Sequence, residues 1–205
     1  MAISTYGELK TALVNWQYGA GTLNAVAGDL VTLAQGYLNR RLRTRYQITQ
    51  TDISPTEVTY LYALPSNYLQ VRHVTALAAI RRRLTYITLE GADAIYPERP
   101  SGEGAHYTII GSNIQVFPTM DDDIELTYYA SLAAFSQDED TDWLLTRMPN
   151  LYLSACQMYA AEFLKDDAEI QKQATIVDMY IAMLNSESMA GEIADATFLP
   201  ESLVV

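Results

Sequence analysis

The hydrophobic periodicity of this chain changes twice, and that change constrains the fold more than any single motif. Apolar residues recur at spacings of three and four up to about residue 43. They alternate in twos between about residues 46 and 130, then return to helical spacing. The order is therefore helices, strands, helices.

Thr5 followed by Glu8 has the spacing of a capping box. Leu9, Leu13 and Trp16 continue it, which predicts a helix over residues 6–17, ended by Gly19 and Gly21. A second helix is predicted from Thr22, with Leu23, Val26, Leu30, Leu33, Tyr37 and Leu38 on one stripe. Arg40, Arg41, Arg43 and Arg45 crowd its last turn, where cations complement the helix dipole.

In the middle stretch, Val, Ile, Thr and Tyr dominate, as strands favour. Residues 57–62 and 68–76 read as strands with a turn at residues 64–67 between them. Residues 107–110 and 114–117, separated by Gly111, Ser112 and Asn113, give the best hairpin signal. Asp121, Asp122 and Asp123 form a turn into a strand over residues 124–129. A short helix at residues 91–95 leads into a loop over 96–104. After residue 130, Pro149 suits the first turn of a helix. Ile170, Ala174, Val177, Tyr180, Ile181 and Leu184 mark the last helix, whose pattern fades after Asn185.

The expected fold class is α+β: an antiparallel helical bundle from the N- and C-terminal helices, a β-rich insertion in the middle, and an extended C-terminal tail. The expected division is a bundle of residues 1–45 and 131–186, an insertion of residues 46–130, and a tail of residues 187–205.

The chain has 205 residues, 49% of them hydrophobic, enough for a proper core. No apolar run approaches the roughly 18 residues of a membrane span, so no membrane partner is expected. The N-terminus lacks the basic and apolar regions of a signal peptide. The single cysteine, Cys156, reads as a small buried hydrophobe, compatible with a reducing cytosol. The net charge of −12 is uneven. Of the 13 Lys and Arg, only Arg147, Lys165 and Lys172 lie beyond residue 100. An acidic chain does not grip duplex phosphates tightly, but it can line a passage through which DNA slides.

Motifs of chemistry are missing. Gly102 and Gly104, like Gly19 and Gly21, are glycine pairs with no following lysine, and read as turns. His73 and His106 are isolated, and with one cysteine they form no closed zinc site. Glu90 with Asp93, or Glu98 with Glu103, could be paired for hydrolysis, but 25 acids generate such pairs by chance. Asp138, Asp140 and Asp142 start like an EF-hand loop, yet Trp143 stands where the turn glycine belongs and Pro149 where the bidentate glutamate belongs. The better reading is a helix N-terminus favouring acids. No catalytic residue, cofactor or metal is expected.

Two basic patches remain, Arg40, Arg41 and Arg43, and Arg81, Arg82 and Arg83. No interleaved aromatics mark them as a base-stacking platform. They are candidate subunit-interface residues meeting acids of a neighbouring copy, with a plain solvated face as the alternative. Fifteen tyrosines suit interfaces, though core tyrosines give the same count.

Several segments in order resemble the head-to-tail connector adaptors of tailed bacteriophages. Residues 30–43 (LVTLAQGYLNRRLR) resemble the first long helix of that family, and residues 64–69 (LPSNYL) resemble the turn opening its β region. Residues 107–118 resemble its hairpin, residues 126–129 (LTYY) one of its strands, and Trp143 to Leu145 with residues 148–153 (MPNLYL) the start of a helix. Asp142 stands where the family often has asparagine. The likeness covers roughly residues 25–185. It implies a structural virion protein in the neck between portal and tail, assembled in the host cytoplasm, and no enzyme. It also implies a ring of about twelve copies, which would be joined by a repeated heterologous interface. The implied partners are the portal, a tail or nozzle protein, further copies of the chain, and genomic DNA passing non-specifically. Phe198, Leu199 and Leu203 are expected to order on the portal as apolar anchors. The alternatives are a stopper, a tail terminator, a cell-wall hydrolase (an activity suspected of some relatives) or a general nucleic-acid or partner-binding module.

Overall fold

The computed structural model describes residues 3–16, 21–56 and 60–194, with side chains up to residue 191. The chain forms two compact units. One comprises Met1–Tyr46 and Leu132–Val205, the other Gln47–Ser131.

The first unit is helical. Helix α1 (Tyr6–Trp16) begins with the capping box: the Thr5 amide donates to the Glu8 carboxylate at 3.2 Å, and the Glu8 amide to the Thr5 hydroxyl at 3.4 Å. A 3-10 turn over Gly21–Leu23 precedes α2 (Ala27–Arg41). The second helix thus starts later than Thr22, because the first turns close onto residues three back, Asn24 to Gly21 and Val26 to Leu23. Helix α4 (Trp143–Arg147) leads into α5 (Pro149–Leu164), which starts on Pro149 and ends on Lys165 in a left-handed conformation, φ 61°. Helix α6 (Asp167–Ala194) follows. Leu9, Leu13, Leu30, Leu38, Leu144, Tyr152, Cys156, Val177 and Ile181 share one buried core.

The second unit is a seven-stranded sheet. Its strands are β1 (Ile48–Ile53), β2 (Leu61–Ala63), β3 (Tyr68–Ala76), β4 (Arg82–Tyr86), β5 (His106–Ile110), β6 (Asn113–Phe117) and β7 (Ile124–Ala130). Their order is β1-β7-β3-β4-β5-β6-β2. All neighbours are antiparallel except β4 and β5, which run parallel, and α3 (Leu89–Ile95) makes that crossover. The β5–β6 hairpin turns at Gly111, whose φ of 59° suits a residue without Cβ. One face buries Tyr62, Val74, Leu84, Tyr107, Ile114, Ile124 and Leu126 as a separate core. Residues 57–59 of the expected strand 57–62 lie outside the described residues.

These findings correct the expected fold class. The chain is a mixed α/β protein with a seven-stranded sheet and, among the described residues, six α-helices; it is not an antiparallel helical bundle framed by terminal helices. Two physical facts overturn that reading. The sheet buries its own core and carries a parallel crossover. And the chain from α2 onward runs beside α6 in the same direction: Tyr37 and Arg41 meet Asp178, Arg43 meets Asn185, and Arg45 meets Ser188. The C-terminal tail is also not extended from residue 187, since α6 continues to Ala194. The apolar stripe fades there because small residues carry the packing. Ser188 is buried, with its hydroxyl accepting from the Arg45 amide at 2.7 Å. Gly191 lies against the Arg45 guanidinium, 2.7 Å from where a Cβ would sit.

Candidate partner-binding surfaces

The arginines at the end of α2 are largely engaged within their own unit. Arg41 donates to both the Tyr37 hydroxyl and the Asp178 carboxylate. The Arg43 guanidinium donates to the Asn39 carbonyl at 2.9 Å, and its amide to the Asn185 side chain at 3.1 Å. Asn185 in turn donates to the Arg41 carbonyl at 3.3 Å. These bonds satisfy carbonyls that a helix end leaves open. Arg40 is exposed and makes no ion pair among the described residues. Beside this end, Arg147 stacks over the Tyr46 ring at 4.1 Å, and Tyr46 stacks on Trp143 at 5.6 Å.

The second arginine group sits at the start of β4. Arg81 pairs with Glu125 at 2.5 Å and Arg82 with Glu103 at 2.9 Å. Arg81, with Gln50, holds the Glu125 carboxyl below the usual carboxylate range. Arg83 is exposed and makes no ion pair among the described residues. The two arginine groups belong to different units. Phe198, Leu199 and Leu203 lie outside the described residues.

The acids divide into structural and solvated ones. Asp140 accepts from the amides of Ser136 and Gln137 at 2.6 and 2.8 Å, which lowers its pKa. Asp142 caps α4, accepting from the Leu145 amide at 2.7 Å and the Tyr152 hydroxyl at 3.3 Å, and burial raises its pKa nonetheless. Asp121, Asp122 and Asp123 are an exposed turn. The Tyr62 hydroxyl donates to the Asp122 carbonyl at 2.8 Å; burial and these carboxylates push its pKa up.

His73 bonds the Thr127 hydroxyl at 3.1 Å and His106 the Tyr96 hydroxyl at 2.8 Å. Among the described residues, no three His, Cys, Asp or Glu side chains gather as a metal site. No described helix is long and apolar enough to cross a membrane.

Sequence reasoning missed the outer face of α6. Val177, Ile181, Leu184 and Ser188 face inward. On the outside, Lys172, Ile176, Met179, Met183, Ser186 and Ala190 alternate at spacings of four and three, with Met179 58% and Met183 50% exposed. Of these only Ile176, Met179, Met183 and Ala190 are apolar, a short patch bounded by Lys172 and interrupted by Ser186, which the stronger inward stripe hides in the sequence.

The exposed methionines of α6 and the exposed Arg40 and Arg83 are surface groups without a partner among the described residues. The SU10 adaptor protein family matches residues 4–197, and the chain belongs to that family. It is a bacteriophage adaptor, a structural virion component of a family not known for enzymes, whose kind interacts with other virion proteins such as portal or tail. No curated protein sequence matches the chain.

Proposed function

We propose that the chain is a head-tail adaptor that forms a closed homo-oligomeric ring, about twelve copies by the resemblance above, joining the portal to a tail or nozzle protein in the virion neck. Genomic DNA passes through its centre without sequence-specific contact. The observation that carries this reading is the outer face of α6. Ile176, Met179 and Met183 make a short apolar patch at helical spacing there, and a lone subunit leaves Met179 and Met183 in water. A neighbouring copy covers them in the ring. Arg40 and Arg83 have charge left for acids of that neighbour, with Arg41, Arg43, Arg81 and Arg82 beside them. Acids facing the lumen repel phosphates and let the genome slide. Residues 195–205 dock on the portal through Phe198, Leu199 and Leu203.

Native mass spectrometry of the chain alone and mixed with the portal of the same phage tests this. The expected result is a complex with one copy per portal subunit, lost when Phe198, Leu199 and Leu203 are all changed to serine. A chain that stays unbound with its portal overturns the reading.

A further inference from the structure

The two edges of the sheet are finished differently. β2 has only three residues, and the chain itself meets the outward groups of its first one: the Thr56 amide donates to the Leu61 carbonyl at 3.0 Å, and the Leu61 amide donates to the Thr56 hydroxyl at 3.2 Å. β1 has six residues and pairs with β7 in unbroken register, from Ile48 opposite Tyr129 to Ile53 opposite Ile124. Along an antiparallel edge strand, alternate residues turn both N–H and C=O away from the sheet. Among the described residues, no backbone group of β1 bonds to backbone other than that of β7. Natural edges are guarded by lysine, proline, a bulge or shortness. β1 (ITQTDI) has none of these, and its one charged side chain, Asp52, is the single guard of the kind that charge provides.

We propose that the open edge of β1 takes up an extended segment of a different virion protein as an added strand. Main-chain bonds then supply affinity and side chains supply choice. Thr49, Thr51 and Ile53 lie on the core side, opposite Tyr128, Leu126 and Ile124. Gln50 and Asp52 lie on the other face. The Asp52 carboxylate is exposed and has no ion-pair partner among the described residues. The incoming segment therefore alternates small or β-branched residues with polar ones and sets a lysine or arginine beside Asp52. The chain's own terminus is a poor occupant: residues 195–205 (DATFLPESLVV) hold two acids and no cation. Its other cations are no better placed: Lys10, Lys172, Arg40, Arg41 and Arg147 are on helices and Lys165 caps one, Arg43 and Arg45 lie between α2 and β1 itself, Arg72, Arg82 and Arg83 are in strands already paired within the sheet, and Arg81 and Arg99 are ion-paired to Glu125 and Asp93. The inference rests on the chain's presence in the virion, and not on ring formation or symmetry.

Hydrogen exchange read by mass spectrometry on the purified chain and on intact virions tests it. The amides of residues 48–53 are expected to exchange at least about tenfold more slowly in virions. Asp52→Lys, with thermal stability unchanged in the purified chain, is expected to reduce that protection. A photo-crosslinking residue at Thr49 is expected to capture a peptide of another virion protein. Equal exchange in both samples, protection indifferent to Asp52→Lys, or capture of this chain's own peptides overturns the proposal. Peptides of the chain present in the virion digest with an unprotected β1 sink the added strand alone; their absence sinks the adaptor reading as well.

Discussion

Asp142 accepts a 2.7 Å hydrogen bond from the Leu145 amide, so a carboxylate that is 9% exposed holds the first turn of α4. Capping favours the oxygen, while burial disfavours its charge and raises the pKa above the ordinary 3.8. A raised folded-state pKa gives stability that is complete below the unfolded value and is lost as pH rises through the folded one. Asn keeps the cap without the charge. Asp142→Asn is therefore expected to be more stable at pH 7, by about 1 kcal/mol, with the gain vanishing below about pH 3. Asp142→Ala loses the cap and leaves the Tyr152 hydroxyl without its Asp142 partner, costing about 1–2 kcal/mol at either pH. Urea unfolding at both pH values reads the difference, and an Asn variant less stable than wild type at pH 7 would refute the account.

Lys165 ends α5 in the left-handed region, φ 61°, where a Cβ is unfavourable. Its amide donates to the Glu162 carbonyl at 3.1 Å, and the Asp166 amide donates to Ala161 at 2.9 Å. Glycine is the preferred residue for such a stop. Lys165→Gly is expected to raise the midpoint of thermal unfolding, by about 0.5–1 kcal/mol of stability. A loss of stability would mean the lysine makes a contact that outweighs its backbone strain.

Cys156 is fully buried on α5, and burial pushes its thiol pKa far above the ordinary range. The native protein is expected to be inert to a disulfide reagent at pH 8, with one thiol titrating only in denaturant. Fast reaction of the folded chain would show that the α5 core opens.

The outer stripe of α6 is exposed, so changing it should spare the fold and harm assembly. Met179→Glu with Met183→Glu is expected to leave the purified subunit within about 0.5 kcal/mol of wild type. The same change is expected to prevent ring formation on the portal. Unfolding curves and native mass spectrometry are read side by side, and a normal ring from the double variant would remove α6 as the packing face.

Local signals were legible where local physics decides. The Thr5–Glu8 capping box, the cationic end of α2, Pro149 at the start of α5 and the β5–β6 turn at Gly111 all stand as the spacing predicts. What sequence could not give was pairing at long range. β1 and β4 escaped notice as separate strands, since ITQTDI and RRLTY lack clean apolar alternation and owe their strand state to β7 and to β3 and β5. The end of α6 escaped because Ser188 and Gly191 pack as small residues against Arg45, and burial of a small residue leaves no apolar mark. Of the arginine patches, sequence showed the charge but not that Asp178, Glu103 and Glu125 already share much of it.

The most direct test of the central claim is electron cryomicroscopy of the virion neck without imposed symmetry. The account predicts one continuous ring of this fold beneath the portal, with α6 outer faces against neighbouring copies and a channel along the axis. Density for the chain anywhere else in the particle, or subunits below the portal that do not touch one another, would contradict it.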